Sequence, residues 1–283
     1  MEVARTRAEL AGVLSRLHEG GTTVGLVPTM GFLHEGHLSL VDRARALADR
    51  VVVSIFVNPL QFGPSEDLAA YPRDEARDLR LLRERGTALV FAPPTSEVYP
   101  EGDPAVTVSA GSLERRLCGA FRPGHFRGVL TVVAKLFGLV RPEVAVFGSK
   151  DFQQAVLIRR MVEDLDLGVR VETGPIVRES DGLAMSSRNV YLGPEERAQA
   201  LGIHEGLTAA ARVWAAGEVR CPRLLEEIRR SVARRPLLAL QYAEAVDPRT
   251  LEGREEATPG TVLAVAAFCG TTRLIDNAEL LRS

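Results

Sequence analysis

The first 176 residues alternate short apolar, β-branched runs with segments of helical periodicity, and this alternation constrains the fold more than any other feature. The runs predicted to be strands are TTVGLVPT, RVVVSIFVN, TALVFAP, EVAVFGS and VRVETGP. The segments predicted to be helices between them include HEGHLSLVDRARALADR, RDEARDLRLLRERG, GVLTVVAKLFGLV and DFQQAVLIRRMVEDL. Near-continuous apolar strands that alternate with helices are typical of a parallel sheet covered on both faces. The sequence therefore predicts an α/β fold with a doubly wound parallel sheet.

The pattern changes near residue 176. A polar loop, VRESDGLAMSSRN, is followed by two helical segments and then by LQYAEAV, TVLAVAAF and TRLIDN, which lie close together in the chain. Closely spaced strands with short connections favour an antiparallel sheet. We therefore predict a first domain at 1–176 and a second, smaller α+β domain at 177–283.

Composition excludes several classes of function. With 283 residues, 46% of them hydrophobic, the chain can bury a large core, and a net charge of −2 provides no broad cationic field for nucleic acid or an anionic membrane. The amphipathic N-terminal segment has no continuous apolar stretch typical of a signal peptide, and no apolar run is long enough to span a bilayer. The cysteines Cys118, Cys221 and Cys269 have no spacing typical of zinc sites or disulfide frameworks, so we expect a reducing cytoplasm.

The stretch VPTMGFLHEGH follows the first strand of the alternating pattern. Ligands of an open α/β sheet bind at the carboxyl ends of strands, beside helix N-termini that attract anions. His34 and His37 share one face of the first helical turn, and Gly36 allows a ligand to approach the backbone. Taken alone, an H-x-x-H pair is more often two surface histidines, and a zinc pair lacks a nearby third ligand. The position after the strand favours a site for the phosphates of a nucleotide.

A second loop strengthens the interpretation of the histidine pair. H-x-G-H after a first strand is similar to the signature of adenylate-forming nucleotidyl transferases, which carry a second loop with Ser and a cationic residue. MSSRN at 185–189 fits that second loop. Ser186 and Ser187 are hydrogen-bond donors, and Arg188 can bind two phosphate oxygens at once. The alternative for this segment alone is a polar turn before a helix.

Two further stretches place polar groups at strand ends. FGSKDFQQ contains Lys150, one of only two lysines in the chain, which suits contact with a phosphate, and Asp151, which suits a helix cap or a ribose hydroxyl. Gln153 and Gln154 are adjacent, so we expect only one to face a cleft. In FVNPLQF, Asn58 and Gln61 are uncharged hydrogen-bonding groups suited to a small polar substrate, although NP is also an ordinary turn signal.

Six blocks together resemble the pantothenate synthetase (pantoate–β-alanine ligase) family. In chain order they are PTMGFLHEGH, SIFVNPLQFGPSEDLAAYPR, FRPGHFRGVLTVVAKLF, GSKDFQQ, MSSRNVYL and GTTRLIDN. The resemblance implies a Rossmann-like doubly wound sheet with a smaller C-terminal domain, and ATP-dependent condensation of pantoate with β-alanine through a pantoyl adenylate. It also implies Mg²⁺, a cytoplasmic location and a homodimer.

The resemblance assigns roles to matching positions. It implies that His37 is the catalytic proton donor, and we expect His34, Lys150 and Arg188 to act with it. Gln61 would bind both pantoate and β-alanine, Gln154 would bind pantoate, and we add Asn58 to the pantoate site. The expected ATP site comprises Met30, Gly31, Phe32, Leu33, His34, Glu35, Gly36, His37, Gly148, Ser149, Lys150, Asp151, Val177, Met185, Ser186, Ser187 and Arg188.

Two positions depart from the family pattern. Ser149 stands where the family usually carries glutamate, so we assign no role to its side chain. The acidic helix start that would help to hold Mg²⁺ is interrupted here, because Arg77 lies between Asp74 and Asp78. We take Asp78 as the candidate metal ligand.

Other functions fit parts of the pattern. The same H-x-G-H fold could transfer a nucleotide onto a phosphorylated acceptor such as phosphopantetheine, but the neutral amides of NPLQF favour a substrate with hydroxyl and carboxylate groups. A tRNA-binding synthetase relative would need a basic, aromatic surface that the balanced charge does not provide. A non-catalytic nucleotide sensor would not need His34, His37, Lys150 and Arg188 together.

Overall fold

The structure is a computed structural model that describes residues 1–64 and 66–281. Its strands are β1 (Glu2–Ala4), β2 (Val24–Thr29), β3 (Arg50–Ile55), β4 (Leu89–Phe91), β5 (Val144–Gly148), β6 (Arg170–Gly174), β7 (Leu238–Val246), β8 (Val262–Cys269) and β9 (Thr272–Glu279). Its helices are α1 (Arg7–Leu17), α2 (Glu35–Arg45), α3 (Glu75–Glu84), α4 (Thr95–Val98), α5 (Cys118–Phe121), α6 (His125–Val140), α7 (Phe152–Asp164), α8 (Pro194–Ala215) and α9 (Cys221–Ala233).

Within the described residues, a six-stranded sheet has the order β1-β4-β3-β2-β5-β6, and every pairing in it is parallel. β2 pairs with β3 on one side and with β5 on the other, and the strand order changes direction between β2 and β5. The predicted doubly wound parallel sheet is confirmed. The carboxyl end of β2 lies at the position where the strand order changes direction, which is where such sheets bind ligands.

Burial explains why the strands have no polar alternation. Val51 and Val53 belong to a core that also contains Leu38 and Val41 of α2. Val52, between the two valines, is fully buried as well. Because successive side chains of a strand point to opposite faces, burial of all three requires cover on both faces of the sheet.

The chain begins with a strand that the sequence did not predict. Glu2–Ala4 pairs with Leu89–Phe91 at the edge of the sheet, and α1 starts only at Arg7. A capping box begins this helix, in which the Thr6 side chain accepts from the backbone of Glu9 and the Glu9 side chain accepts from the backbone of Thr6. Three residues of strand carry too little periodicity to be distinguished from the start of a helix.

The chain divides into two compact units. The first comprises Met1–Arg115, Gly119–Ser149 and Gln154–Pro175, and the second comprises Arg116–Cys118, Lys150–Gln153 and the chain from Ile176 onwards. The second contains the antiparallel sheet β7-β8-β9, whose buried face packs with α8 and α9 through residues such as Leu207, Ile228 and Val265. The sequence did not anticipate the two short segments that join this unit from within the first 176 residues.

The helices have the length and polarity of elements that pack against sheets. Across the described part of the chain, every helix is too short or too polar to cross a bilayer.

Candidate active site

The two histidines of the HEGH stretch lie at the N-terminus of α2. His34 is the N-cap residue, and its Nδ1 atom accepts a hydrogen bond from the backbone N–H of Gly36 at 3.1 Å. The Nδ1 atom of His37 accepts from the backbone N–H of His34 at 3.3 Å, and the ring centroids are 4.1 Å apart. Because Nδ1 accepts in both rings, the proton of each neutral imidazole lies on Nε2. Both rings are therefore neutral Nε2–H donors beside the positive end of a helix dipole.

The turn between β2 and α2 has a backbone suited to close approach. Gly31 has φ +82°, and a Cβ atom there would lie 3.0 Å from Cγ2 of Ile55 and 3.1 Å from Oδ2 of Asp78. Phe32 follows with φ 49°, a left-handed conformation that is uncommon for a residue with a side chain. Only glycine fits at position 31 without strain, which explains the first glycine of the MGFLHEGH stretch.

Asp78, in the first turn of α3, holds this turn in place. Its Oδ2 atom accepts from the backbone N–H of Phe32 at 2.7 Å, and its Oδ1 atom accepts from that of Leu33 at 2.8 Å. Arg77 donates to the carbonyl oxygen of Leu33 at 2.7 Å and lies over the Phe32 ring, 5.8 Å from its centroid. Burial raises the pKa of Asp78, although the two amides and the Arg77 charge act to lower it.

These contacts favour a structural role for Asp78, and its role as a metal ligand stays a prediction. The side chain is 1% exposed, and both of its oxygens accept from the backbone of the histidine loop. Among the residues that the structure describes, no group of three or more His, Cys, Asp or Glu side chains is arranged to hold a metal ion. The two hydrogen bonds show that the Asp78 carboxylate supports the backbone of the histidine loop.

Gln61 lies in a short 3₁₀ turn, Pro59–Gln61, after β3. Its Oε1 atom accepts from Nδ2 of Asn58 at 3.1 Å, and its Nε2 atom lies 3.2 Å from Sδ of Met30. The structure thus brings the predicted substrate residue Gln61 to the first residue of the predicted phosphate loop. This placement is compatible with the predicted role of Gln61 in binding the acid substrates.

Asn58 is buried just after β3, and its amide is hydrogen-bonded within the protein. It is 1% exposed, its Oδ1 accepts from the hydroxyl of Tyr99 at 2.9 Å, and its Nδ2 also donates to the carbonyl of Gly128 at 3.1 Å. Its amide is engaged within the protein, so the geometry favours a role for Asn58 in orienting Gln61. The contact of Asn58 with pantoate stays a prediction. The sequence carried no signal for Tyr99 as its partner.

The GSKDFQQ stretch forms a short turn after β5 that leads into α7. The Ser149 hydroxyl donates to the carbonyl of Gly174 at 2.7 Å, which anchors the turn to the end of β6. Gln153 is buried and donates to the carbonyl of Arg116 at 2.7 Å, whereas Gln154 is half-buried. We expect only one of the two glutamines to face a ligand, and these positions favour Gln154.

The MSSRN loop belongs to the second unit and is held by hydrogen bonds within that unit. The Ser186 side chain accepts from the backbone N–H of Arg188 at 3.3 Å. Asn189, the last residue of the stretch, donates to Oε1 of Glu179 at 2.8 Å and to the carbonyl of Ala184 at 3.1 Å. Glu179 in turn pairs with Arg197 at 2.7 Å. Nothing in the spacing of Glu179 and Arg197 links them to the serines, so the sequence does not predict their part in this loop.

Remaining residues of the predicted ATP site lie in these same segments. Glu35 is the first residue of α2 and is paired with Arg85 at 2.8 Å. The carbonyl of Val177 accepts from the backbone N–H of Met185 at 3.0 Å, and that of Lys150 accepts from Nδ2 of Asn277 at 3.0 Å. The other predicted members are Gly148, Asp151 and Ser187, of which Ser187 is buried and Asp151 is exposed.

Comparison with known proteins identifies relatives over nearly the full chain. Relatives include a protein named pantothenate synthetase from Thermoanaerobacter sp. (strain X514), 50% identical over 270 residues, which is 95% of each chain. Pantothenate synthetase 1 of Bradyrhizobium diazoefficiens is 52% identical over 281 residues, covering 99% of this chain and 98% of the relative.

Solved structures give the same result. The crystal structure of pantothenate synthetase from Thermus thermophilus superposes with a TM-score of 0.94 at 47% identity, covering 99% of this chain and 100% of that one. A pantoate-beta-alanine ligase from Francisella tularensis, complexed with beta-gamma ATP and beta-alanine, superposes with a TM-score of 0.82 at 31% identity, covering 99% and 97%. The profile of the family described as pantoate-beta-alanine ligase matches residues 2–279. The chain belongs to the pantoate–beta-alanine ligase family.

Proposed function

We propose that the chain joins pantoate to β-alanine, the ligation for which its family is named, in two steps that use ATP and pass through a pantoyl adenylate. The observation that carries this proposal is the pair of Nε2–H donors of His34 and His37 at the N-terminus of α2, at the carboxyl end of β2. Such donors suit a phosphate chain that gains negative charge as pyrophosphate leaves.

In the first step, a carboxylate oxygen of pantoate attacks the α-phosphorus of ATP. The bond from that phosphorus to the bridging oxygen of the β-phosphate breaks, and pyrophosphate leaves with the electron pair. His37 would donate a hydrogen bond from Nε2 to the phosphate oxygens, which agrees with the proton-donor role that the family resemblance implies. In the second step, the amine of β-alanine attacks the acyl carbon, AMP leaves, and the amine loses a proton.

We assign the nucleotide to the residues that the sequence predicts for the ATP site. Residues 30–37 would contact the phosphates through backbone N–H groups and the two imidazoles, and Lys150 and Arg188 would neutralise phosphate charge. The remaining proposed ATP contacts are those predicted from sequence at 148–151, at Val177 and at 185–188. Ser149 would contribute through its backbone, because its hydroxyl donates to the carbonyl of Gly174.

The acid substrates are assigned to two glutamines. Gln61 would bind pantoate and β-alanine, since its amide lies beside Met30 of the phosphate loop, and Gln154 would bind pantoate. Neutral amides both donate and accept, as hydroxyl and carboxylate groups of pantoate require. This preference for an unphosphorylated acceptor argues against nucleotide transfer to a phosphorylated one.

Three further expectations follow from the family resemblance. A magnesium ion would enter with the phosphates of ATP, because Asp78 is engaged with the loop backbone. The enzyme would work as a homodimer. It would work in the cytoplasm, which the free, buried state of all three cysteines supports.

A product assay tests the proposal. Purified protein is incubated with ATP, Mg²⁺, pantoate and β-alanine, and pantothenate and AMP are measured by chromatography, with each substrate omitted in turn. Equal amounts of pantothenate and AMP, formed only when all substrates are present, are expected. ADP as the nucleotide product, or turnover that requires a phosphorylated acceptor, would overturn the proposal.

A further inference from the structure

The segment FRPGHFRG at residues 121–128 belongs to one of the six blocks that resemble the family pattern. The proposed reaction assigns no role to its residues. This segment lies at the start of α6, and the structure connects it to the segment that carries Gln61. The inference drawn from these contacts rests on the proposed function, in which Gln61 binds both acid substrates. It concerns what fixes the position of Gln61.

The first contact is an ion pair between Arg122 and Glu66. The Nε atom of Arg122 donates to Oε1 of Glu66 at 2.7 Å, and its terminal nitrogen donates to Oε2 at 2.6 Å. The two side chains are 15% and 25% exposed. Burial alone would raise the pKa of Glu66, but the hydrogen bonds and charge of Arg122 lower it. A bidentate pair that is largely withdrawn from water fixes both partners in one geometry.

The second contact joins the arginine to a histidine. The other terminal nitrogen of Arg122 lies 3.0 Å from Nε2 of His125, and Nδ1 of His125 lies 2.7 Å from the carbonyl oxygen of Gln61. A guanidinium can only donate, so Nε2 of His125 accepts. The ring proton is therefore on Nδ1, where it donates to the Gln61 carbonyl. Arg122 thus selects the tautomer that can hold the backbone of Gln61.

The third contact leaves the Gln61 segment little space to move. A Cβ atom at Gly128 would lie 2.2 Å from the carbonyl oxygen of Leu60 and 2.7 Å from the backbone nitrogen of Gln61. Nδ2 of Asn58 donates to the carbonyl of Gly128 at 3.1 Å and to the Gln61 side chain at 3.1 Å. The start of α6 therefore packs against the backbone of the Gln61 segment. Asn58, which donates to the Gly128 carbonyl, contacts the Gln61 side chain.

We propose that His125 and Arg122 are positioning residues for the acid substrates: the chain Glu66–Arg122–His125 sets the backbone of Gln61 and so the direction of its amide. Displacement of a substrate-orienting group by about 1 Å can cost about 10²-fold in rate. A merely structural role of the cluster would lower stability and affect all substrates alike. A positioning role affects the substrates at Gln61 and leaves the nucleotide unaffected.

The test compares His125→Leu with His125→Asn. Leucine removes both ring nitrogens, whereas the amide nitrogen of asparagine can occupy the place of Nδ1 and donate to the Gln61 carbonyl. Each variant is assayed for kcat and for the KM of pantoate, β-alanine and ATP, and pantoate binding is measured by titration calorimetry. His125→Leu is expected to reduce kcat/KM for both acid substrates by about 10–100-fold with the KM of ATP unchanged. His125→Asn is expected to recover most of the loss.

Two more variants complete the design. Arg122→Gln removes the bidentate pair and is expected to reproduce the selective loss, whereas Arg127→Ala, an exposed position on the same helix, is expected to leave every constant unchanged. Unchanged kcat/KM in folded His125→Leu, a KM of ATP raised as much as those of the acid substrates, or an asparagine variant no better than leucine would overturn the proposal. If the parent protein binds pantoate but makes no pantothenate, the proposed function fails, and the pantoate affinities of the variants still decide the positioning role.

Discussion

The Nδ1 atom of His37 accepts the backbone N–H of His34 at 3.3 Å, and the two rings lie 4.1 Å apart between centroids. This hydrogen bond orients the His37 ring, and the bond from the Gly36 N–H orients the His34 ring. One nitrogen is used by the turn itself, and the Nε2–H group is the one that can donate to a ligand. In the H-x-G-H spacing, both Nδ1 atoms therefore cap the start of α2, and this capping orients two neutral donors at the helix N-terminus.

Substitutions of His37 distinguish the roles of its two ring nitrogens. In His37→Gln the amide nitrogen can reach the place of Nε2, whereas in His37→Asn the amide can replace only Nδ1. We expect His37→Asn and His37→Ala to lower kcat by about 10²–10³-fold, as for loss of a donor to a developing oxyanion, and His37→Gln to lower it much less. Steady-state ligation kinetics provide the measurement. Equal losses for the glutamine and asparagine variants would contradict donation from Nε2.

Substitution of Asp78 distinguishes support of the loop from metal binding. Asp78→Asn directs an amide donor at the N–H of Phe32 or Leu33, so we expect unfolding free energy to fall by about 1–3 kcal/mol and the KM of ATP to rise. Chemical denaturation and kinetics at several Mg²⁺ concentrations are the measurements, with the exposed Glu84→Gln on the same helix as control. A variant of normal stability with an altered Mg²⁺ requirement would restore the metal role.

Two glycines of α6 form a matched pair. At Gly128 an added Cβ would lie 2.2 Å from the Leu60 carbonyl, whereas at Gly138 nothing lies within 4 Å. Gly128→Ala must displace either the helix or the Gln61 segment, and we expect a loss of about 1–3 kcal/mol of stability together with weaker pantoate binding. Gly138→Ala is expected to add about 0.5–1 kcal/mol, because alanine favours a helix interior. Thermal unfolding and pantoate titration test both, and equal behaviour of the two variants would contradict the packing.

The carboxylate of Asp247, in the second unit, makes the folding stability depend on pH. Hydrogen bonding from Arg254 and from the backbone of Thr250 and Arg249 lowers the pKa of Asp247 to about 2. Because the folded pKa lies below the ordinary 3.8, the stabilisation is complete above about pH 4 and is lost as pH falls towards 2.

Asp247→Asn should therefore reduce unfolding free energy by about 1–2 kcal/mol at neutral pH, after allowance for partial exposure of the pair. The difference from the parent protein should shrink between pH 4 and pH 2, as followed by denaturant titration at each pH. A difference that grew in acid would contradict the sign of the shift.

The main architecture could be predicted from sequence because burial on both faces leaves a direct mark on composition. The runs around Val52 and Val146 are almost entirely apolar, and the helices between them keep their periodicity, so the parallel sheet was predicted correctly. Strand β1 was not, because three residues at an edge leave no comparable pattern. The histidine loop was found because His34 and His37 lie close together in the chain.

Supports that come from distant parts of the chain could not be predicted. Asp78 is separated from Leu33 by 45 residues and Arg122 from Glu66 by 56, and each pairing depends on how helices pack. An aspartate in a helix start equally suits a metal ligand, a cap or a buried acceptor. Its two short contacts with loop amides favour the buried acceptor.

Isotope exchange tests the central claim most directly. Labelled pyrophosphate is incubated with the protein, ATP and Mg²⁺, with and without pantoate and in the absence of any amine. Formation of pantoyl adenylate in a reversible first step predicts that label enters ATP only when pantoate is present. A folded protein that binds ATP and pantoate yet never transfers label to ATP would contradict adenylate formation at the histidine loop.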